Sequence, residues 1–311
     1  MTRNESRILI YGAGTIGSLF AGMIAQKGYD VTILARGKRY DELKQDGIIL
    51  NNCLSNKKTQ VNIKTIDTLK ENDKYTFIIV VVQNTQIDSI LPILSQNQTE
   101  NIVFVVNNPS GYQKWIDAVG YDRILIGFPS AGGERKDSIV HYFIGTGPAK
   151  LFQATTFGEL NGKRTERLLK LVQIFKRSGF SPCINNHMEA WQKTHIALIL
   201  PICKALQKFD SNNYKLSKSY RTLKQMILAT RECFKVLKST QVKVTPFKLN
   251  FYYLPLFLLV PIYMIILNTK IAEFAMAKHT IAGKDELSEL EKQFRTTIKE
   301  SGIMTPHFDS L

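Results

Sequence analysis

Cysteine is scarce. Four thiols, Cys53, Cys183, Cys203 and Cys233, are spread over 311 residues with no Cys-x-x-Cys pair and no metal-ligand spacing. That excludes a disulfide framework and a zinc ribbon, and it points to free thiols in a reducing compartment. Histidine is equally thin: the five residues are scattered and support no zinc motif, so no metal site is expected. Acid is in deficit, with 26 Asp and Glu against 41 Lys and Arg and a formal net charge of +15. Such an excess attracts nucleic acid, membrane lipid or anionic metabolites. It is spread through small clusters such as Lys57-Lys58, Lys163-Arg164 and Lys292 to Arg295. No zinc finger, RNA-binding aromatic pair or long basic tail accompanies it, so a nucleic-acid partner is not expected. Met1 to Ser6 contains no apolar signal core, and the expected location is cytoplasmic. Internal repeats and low-complexity tracts are absent.

Long apolar runs are also missing, with one exception. Leu249 to Thr269 is 21 uncharged residues bounded by Lys248 and Lys270. Its length suffices for a bilayer, but Pro255 and Pro261 interrupt any regular helix. The expectation is therefore buried helices in a second domain, at a subunit interface. Membrane association is not expected, and a homodimer is compatible with the pattern.

What is present in abundance at the amino-terminal end is a strand–turn–helix signature. Arg7 to Tyr11 is a short apolar strand, and the turn after it places glycines at Gly12, Gly14 and Gly17. In a dinucleotide-binding βαβ unit the first glycine permits the tight turn. The second lets backbone approach a pyrophosphate, and the third lets helix pack on strand. The helix N-terminus then offers its N–H groups and positive dipole end to the anion. Ser18 to Lys27 reads as that helix, Gly28 as its stop, and Asp30 to Leu34 as the second strand. The cofactor contacts expected from the turn are Gly12, Ala13, Gly14, Thr15, Ile16 and Gly17. The end of the second strand lacks the acid that usually takes the ribose hydroxyl of NAD. Arg36 stands there instead, 19 residues after Gly17, followed by Lys38 and Arg39. A guanidinium suits a 2′-phosphate, and Lys38 or Arg39 would add charge, so the expected cofactor is NADP.

The pattern downstream alternates. Tyr75 to Val82, Ile102 to Val106 and Arg123 to Gly127 read as parallel strands, with a helix at Ile87 to Leu94 and a loop from Phe128 to Gly133. Ile139 to Ile144 and Leu151 to Thr155 read as later strands, and Thr165 to Arg177 as a helix stopped by Gly179. From Met188 the pattern turns helical. Helices are expected at Ala190 to Phe209, kinked at Pro201, at Tyr220 to Lys238, within the apolar run, at Ile271 to His279 and at Lys284 to Glu300. The expected fold class is thus α/β plus all-α. A Rossmann-type NAD(P)-binding domain over residues 1–180 precedes an all-helical substrate or dimerisation domain over residues 188–311.

Four local patterns, in order along the chain, add to this. They are Ile10-Tyr-Gly-Ala-Gly-Thr-Ile-Gly17 with Leu34-Ala-Arg36, Asn107-Asn108-Pro-Ser-Gly111, Glu189-Ala-Trp191-Gln-Lys193, and Ser301-Gly-Ile-Met-Thr-Pro306. Together the chain resembles the ketopantoate reductase family, which reduces 2-dehydropantoate to pantoate with NADPH. The resemblance implies that Lys193 is the proton donor to the substrate oxygen. It also implies that Asn108 lies near the nicotinamide ribose and the substrate, and that Gln83 stands where the family often carries a cofactor-binding lysine. The plainer alternatives are a surface lysine near a helix start and an asparagine that merely forms the turn before Pro109.

The departures from the family are specific. Two asparagines usually lie four and eight residues past the donor lysine; here those positions are Ala197 and Pro201. The family's later Ser-Met…Asp…Gly-Arg-x-Thr-Glu segment is replaced by Leu256 to Ala277. His195, Glu273, Asp285 and Glu286 are candidate replacements for the substrate-orienting residue. The function implied is NADPH-dependent reduction of a 2-oxo acid, with ketopantoate first. The alternatives are a catalytically degenerate NADP-binding sensor or scaffold, and a related dehydrogenase, such as a 6-phosphogluconate-like enzyme, acting on a different oxo or hydroxy acid.

Overall fold

A computed structural model describes residues 4–144, 154–278, 280 and 284–311. The chain forms two compact units, residues 1–106 with 112–188, and residues 107–111 with 189–311.

The first unit is built on an eight-stranded sheet. Its first strand, β1 (Asn4–Tyr11), is followed by helix α1 (Thr15–Ala25) and strand β2 (Tyr29–Leu34). Helix α2 (Lys38–Asp46) leads to β3 (Ile48–Asn52), β4 (Lys58–Val61), β5 (Lys64–Ile66) and β6 (Phe77–Val80). Helix α3 (Ile87–Gln96), β7 (Ile102–Phe104), α4 (Gln113–Val119) and β8 (Ile124–Phe128) continue the alternation. Then come β9 (Ala131–Lys136), β10 (Ile139–Ile144), β11 (Thr155–Glu159), α5 (Glu166–Arg177) and β12 (Pro182–Ile184). The large sheet runs β12-β11-β8-β7-β6-β1-β2-β5. β1 pairs in parallel with β2 on one side and β6 on the other, and β11 meets β8 antiparallel. The strand order therefore reverses at β1, where ligands of open α/β sheets bind.

The strands that the sequence marked as almost wholly apolar are the buried centre: Ile8, Ile10, Phe77, Ile79, Val103 and Leu125 have no or almost no exposed surface. The expected loop at Phe128 to Gly133 is corrected in part, because Ala131–Lys136 is a strand. It pairs antiparallel with β10 in a second sheet ordered β4-β3-β10-β9. Its Gly-Gly-Glu-Arg-Lys sequence has little intrinsic strand preference, and ladder pairing with the apolar β10 overrides that. Of the strand expected at Leu151 to Thr155, residues 151–153 lie outside the described residues; the strand that is seen begins at Thr155.

One half-buried ion pair lies near the far edge of the large sheet. Glu159, at the end of β11, is 3% exposed and accepts from Arg167 Nε at 2.8 Å. The Thr165 hydroxyl, which caps α5 by accepting from the Leu168 amide, also donates to the Glu159 carboxylate. Arg167→Met is expected to cost about 3–5 kcal/mol in urea unfolding, because it strands a buried carboxylate.

The second unit is helical, as expected. It contains α6 (Met188–Gln207, of which it holds all but the first residue), α7 (Asn213–Leu216), α8 (Tyr220–Ser239) and α9 (Leu256–Leu267). The short α10 (Lys270–Ala272) runs into a π-helical turn at Glu273–Ala277, and α11 (Lys284–Ser301) and α12 (Pro306–Asp309) complete it. His279, the end of one expected helix, lies outside the described residues. The core is organised on α8, whose Leu223, Met226, Ile227, Thr230, Phe234 and Leu237 recur at helical spacing and are all buried. Leu259, Val260, Phe294 and Phe308 pack around it. The apolar run does not form one helix. A 3-10 turn at Phe247–Tyr253 and α9 meet at 115°, with Pro255 as the N-cap of α9. Among the described residues no single helix is long and apolar enough to cross a membrane.

Candidate functional site

In the first unit the site grows from the turn after β1. Gly12 has φ of +114°, and a Cβ there would stand 2.3 Å from the Val81 carbonyl oxygen, so both backbone and space demand glycine. Gly17 is just as constrained: its Cβ would lie 2.0 Å from the Gly12 oxygen. Gly14 differs. Its φ is −69°, and a Cβ would meet nothing within 4 Å. Neither the backbone angle nor the space around it demands glycine at that position. It is the N-cap of α1, with no side-chain cap and no acid in the first turn. The leading amides of the helix therefore keep their donor capacity and positive potential for an anion. Ala13, Thr15 and Ile16 are half-buried around it. The Ser18 hydroxyl donates to the Ala13 carbonyl and pins the turn.

Arg36, just beyond β2, is exposed, and its guanidinium donates to the Tyr11 hydroxyl at 3.0 Å. Tyr11 is the last residue of β1, and sequence reading missed it. Burial pushes its phenol up from the ordinary value, against the opposing charge and hydrogen bond of Arg36. The hydroxyl stays neutral and accepts. Lys38 is exposed at the start of α2, 4.0 Å from Glu42. Arg39 is a correction. It is buried, bound to Glu42 at 3.0 Å and to the Ser18 hydroxyl at 3.2 Å, so it braces α2 against α1 and has no charge to offer a ligand. Gln83 caps the short 3-10 turn Asn84–Gln86 through a reciprocal capping box with Gln86. It is exposed at the end of β6.

In the second unit a different cluster forms. Lys193 donates to Glu189 Oε1 at 2.6 Å, one helical turn earlier on α6. That same oxygen lies 3.5 Å from where a Cβ of Gly111 would stand. The loop of residues 107–111 thus abuts the Lys193–Glu189 pair. Asn108, 5% exposed, donates to the Gly111 carbonyl at 2.6 Å and accepts from the Ser110 amide at 3.0 Å. Both ends of its amide hold the loop in shape. Asn107 donates to Glu286 at 3.4 Å and the Ser110 hydroxyl to Gln293 at 3.1 Å, which ties the loop to α11. Lys193, through Glu189, and Glu286, through Asn107, thus both adjoin the loop that carries Asn108. Glu273 is not among them, since it accepts from the Tyr214 hydroxyl. His195 stacks on Trp191, with ring centroids 5.5 Å apart. Ala197 and Pro201 are buried, and Ala197 belongs to the apolar core of this unit. Glu189 was legible in principle, because a glutamate four residues before a lysine is a helix-face pair.

The family described as Ketopantoate reductase PanE/ApbA matches residues 8–160. A 2-dehydropantoate 2-reductase of Listeria innocua is 29% identical over 168 residues, 53% of this chain and 54% of that protein. Over residues 8–160 the chain belongs to the ketopantoate reductase family. It is a divergent member. An uncharacterized oxidoreductase of Bacillus subtilis is 27% identical over 197 residues, and the match spans 60% of the length of each chain. The two-unit fold of this ketopantoate reductase family member also matches a D-mandelate dehydrogenase solved with NADH and anilino(oxo)acetate. The TM-score is 0.73 at 17% identity, over 97% of this chain and 95% of that one.

Proposed function

We propose that the protein is an NADPH-dependent reductase of a 2-oxo acid. The observation that carries the reading is Gly14, a glycine that neither its backbone angle nor the space around it demands, at the mouth of an uncapped helix on the strand where the sheet order reverses. The residues present fit a dinucleotide. The turn from Gly12 to Gly17 would receive the pyrophosphate. Arg36, held by Tyr11 and flanked by Lys38, would receive a 2′-phosphate, and Gln83 would contact the cofactor at the end of β6. We assign the first unit to cofactor and the second, with its loop of residues 107–111, to the oxo acid.

Bound NADPH would supply the hydride to the carbonyl carbon. Lys193 hydrogen-bonds the carbonyl oxygen, stabilises its growing negative charge and delivers the proton that completes the hydroxyl. Glu189 fixes the position of Nζ. Asn108 shapes the loop, and in this reading it acts as a positioning residue. Ketopantoate is the first substrate to test, as in the Listeria relative. Ala197 and Pro201 stand where the family has two amides, so other 2-oxo acids are the second.

The test is NADPH oxidation by purified protein with ketopantoate and a panel of branched and aromatic 2-oxo acids. Turnover with any of them supports the class, and the preferred acid assigns the substrate. Tight NADPH binding with no turnover overturns it in favour of a sensor. Arg36→Ala is expected to cut the preference for NADPH over NADH by about tenfold or more, through loss of a charge-assisted phosphate bond. Tyr11→Phe should cut it less, because the guanidinium loses its support and keeps its charge. Equal preference in wild type and Arg36→Ala would move the 2′-phosphate elsewhere.

A further inference from the structure

The apolar run from residue 249 to 269 has two faces and only one is buried. On α9, Leu259, Val260, Tyr263 and Leu267 pack into the core of the second unit. The opposite face carries Phe257, Leu258, Pro261, Ile262, Ile265 and Ile266, all exposed, with Phe257 at 69% and Ile265 at 72%. A water-facing helix ordinarily turns polar side chains outward. This one has none there, and Tyr253 and Leu254, just before it, extend the exposed apolar surface. A contiguous patch of this kind marks an interaction site.

The charges around it specify the occupant. From Cys233 to Ala272 the chain holds five lysines, Lys235, Lys238, Lys243, Lys248 and Lys270, and no acid in 40 residues. The structure places cations at both ends of the face. Arg231 donates to the Tyr252 and Leu254 carbonyls, and Lys238 Nζ lies 3.0 Å from the Tyr253 hydroxyl. Lys270 starts the helix after α9. The two acids that bound the stretch are engaged elsewhere: Glu232 accepts from the His307 and Phe308 amides, and Glu273 from Tyr214. A second copy on this face would set one cationic rim against another, which electrostatics opposes. An anionic lipid surface matches both features, taking the apolar side chains below its headgroups and the lysines among them. At 12 residues α9 is about 18 Å long, short of the hydrocarbon thickness, so it would lie in the interface.

We infer that the exposed face of α9 and its lysine rim form a docking surface for an anionic phospholipid membrane. The test is co-sedimentation of the full chain with vesicles of mixed phosphatidylcholine and phosphatidylglycerol, and with phosphatidylcholine alone. Analytical ultracentrifugation without lipid runs alongside. The wild type is expected to bind the anionic vesicles at least about tenfold more tightly than the neutral ones, because several basic residues add to the apolar contact. Phe257→Ser with Ile265→Ser should weaken binding by about tenfold or more while circular dichroism and thermal melting stay unchanged, since both side chains are exposed. Lys248→Gln with Lys270→Gln should weaken it by about fivefold for each charge and narrow the preference for anionic over neutral vesicles by the same factor. The inference is overturned if the wild type ignores anionic vesicles or if the serine pair binds as the wild type does. A lipid-free dimer that the serine pair splits, with no vesicle binding, overturns it too and assigns the face to a second copy.

Discussion

Gly14→Val is expected to raise the dissociation constant for NADPH by about 100-fold, or roughly 2.7 kcal/mol, with no loss of folding stability. The two halves of this expectation come from different observations. Stability is spared because φ of −69° suits any residue and the added side chain enters open space. The reduced freedom of the unfolded chain offsets the poorer N-cap that valine makes. Binding suffers because that open space is the approach to the α1 amides, which a pyrophosphate needs at hydrogen-bond distance. Gly17→Ala supplies the contrast. Its Cβ would collide with the Gly12 carbonyl, so it should unfold at lower temperature and lose cofactor only as a consequence. Calorimetric titration with NADPH and thermal melting separate the two variants. A Gly14→Val protein that binds as the wild type does would remove the dinucleotide from this turn.

These glycines also show what the chain makes legible. A turn that needs φ of +114°, or that brings Gly17 onto Gly12, leaves a mark in the sequence because one residue type alone satisfies it. The parallel sheet was legible for a similar reason, since strands buried on both faces read as unbroken apolar runs. Contacts across long separations leave no such mark. Asn107 meets Glu286 and Ser110 meets Gln293 about 180 residues away, so the tie between the loop of residues 107–111 and α11 is visible in the fold alone. Arg39 and Arg36 look alike in sequence, three residues apart. Only the fold shows that one braces α2 and the other reaches solvent beside Tyr11. The apolar run was legible as a run, yet which of its faces is buried depends on α8, which the run itself does not encode. Its lack of periodicity, apolar on both sides of α9, was the available warning.

Lys193→Ala is expected to lower kcat by about 10²–10⁴-fold while NADPH affinity stays within twofold or so, the range for removing a positioned general acid. Alanine alone does not separate proton delivery from simple charge, and Lys193→Arg does. A guanidinium keeps the positive charge and the hydrogen bond to Glu189, but it does not release a proton near neutral pH. The arginine variant should bind the oxo acid with nearly the KM of the wild type and turn it over far more slowly than the wild type, by the share of the rate that proton delivery supplies. Glu189→Gln tests the other partner. It leaves the ammonium in place and removes the carboxylate that holds Nζ at 2.6 Å. A positioning role predicts a kcat loss of about tenfold with KM little changed, since a misplaced donor fails in the transition state more than in the ground state. If Lys193→Arg retained the wild-type kcat, the group would act as a fixed charge and the proton would come from another donor, water included. If Lys193→Ala retained it, the Lys193–Glu189 pair would be an ordinary helix-face ion pair, and the catalytic role would leave this helix.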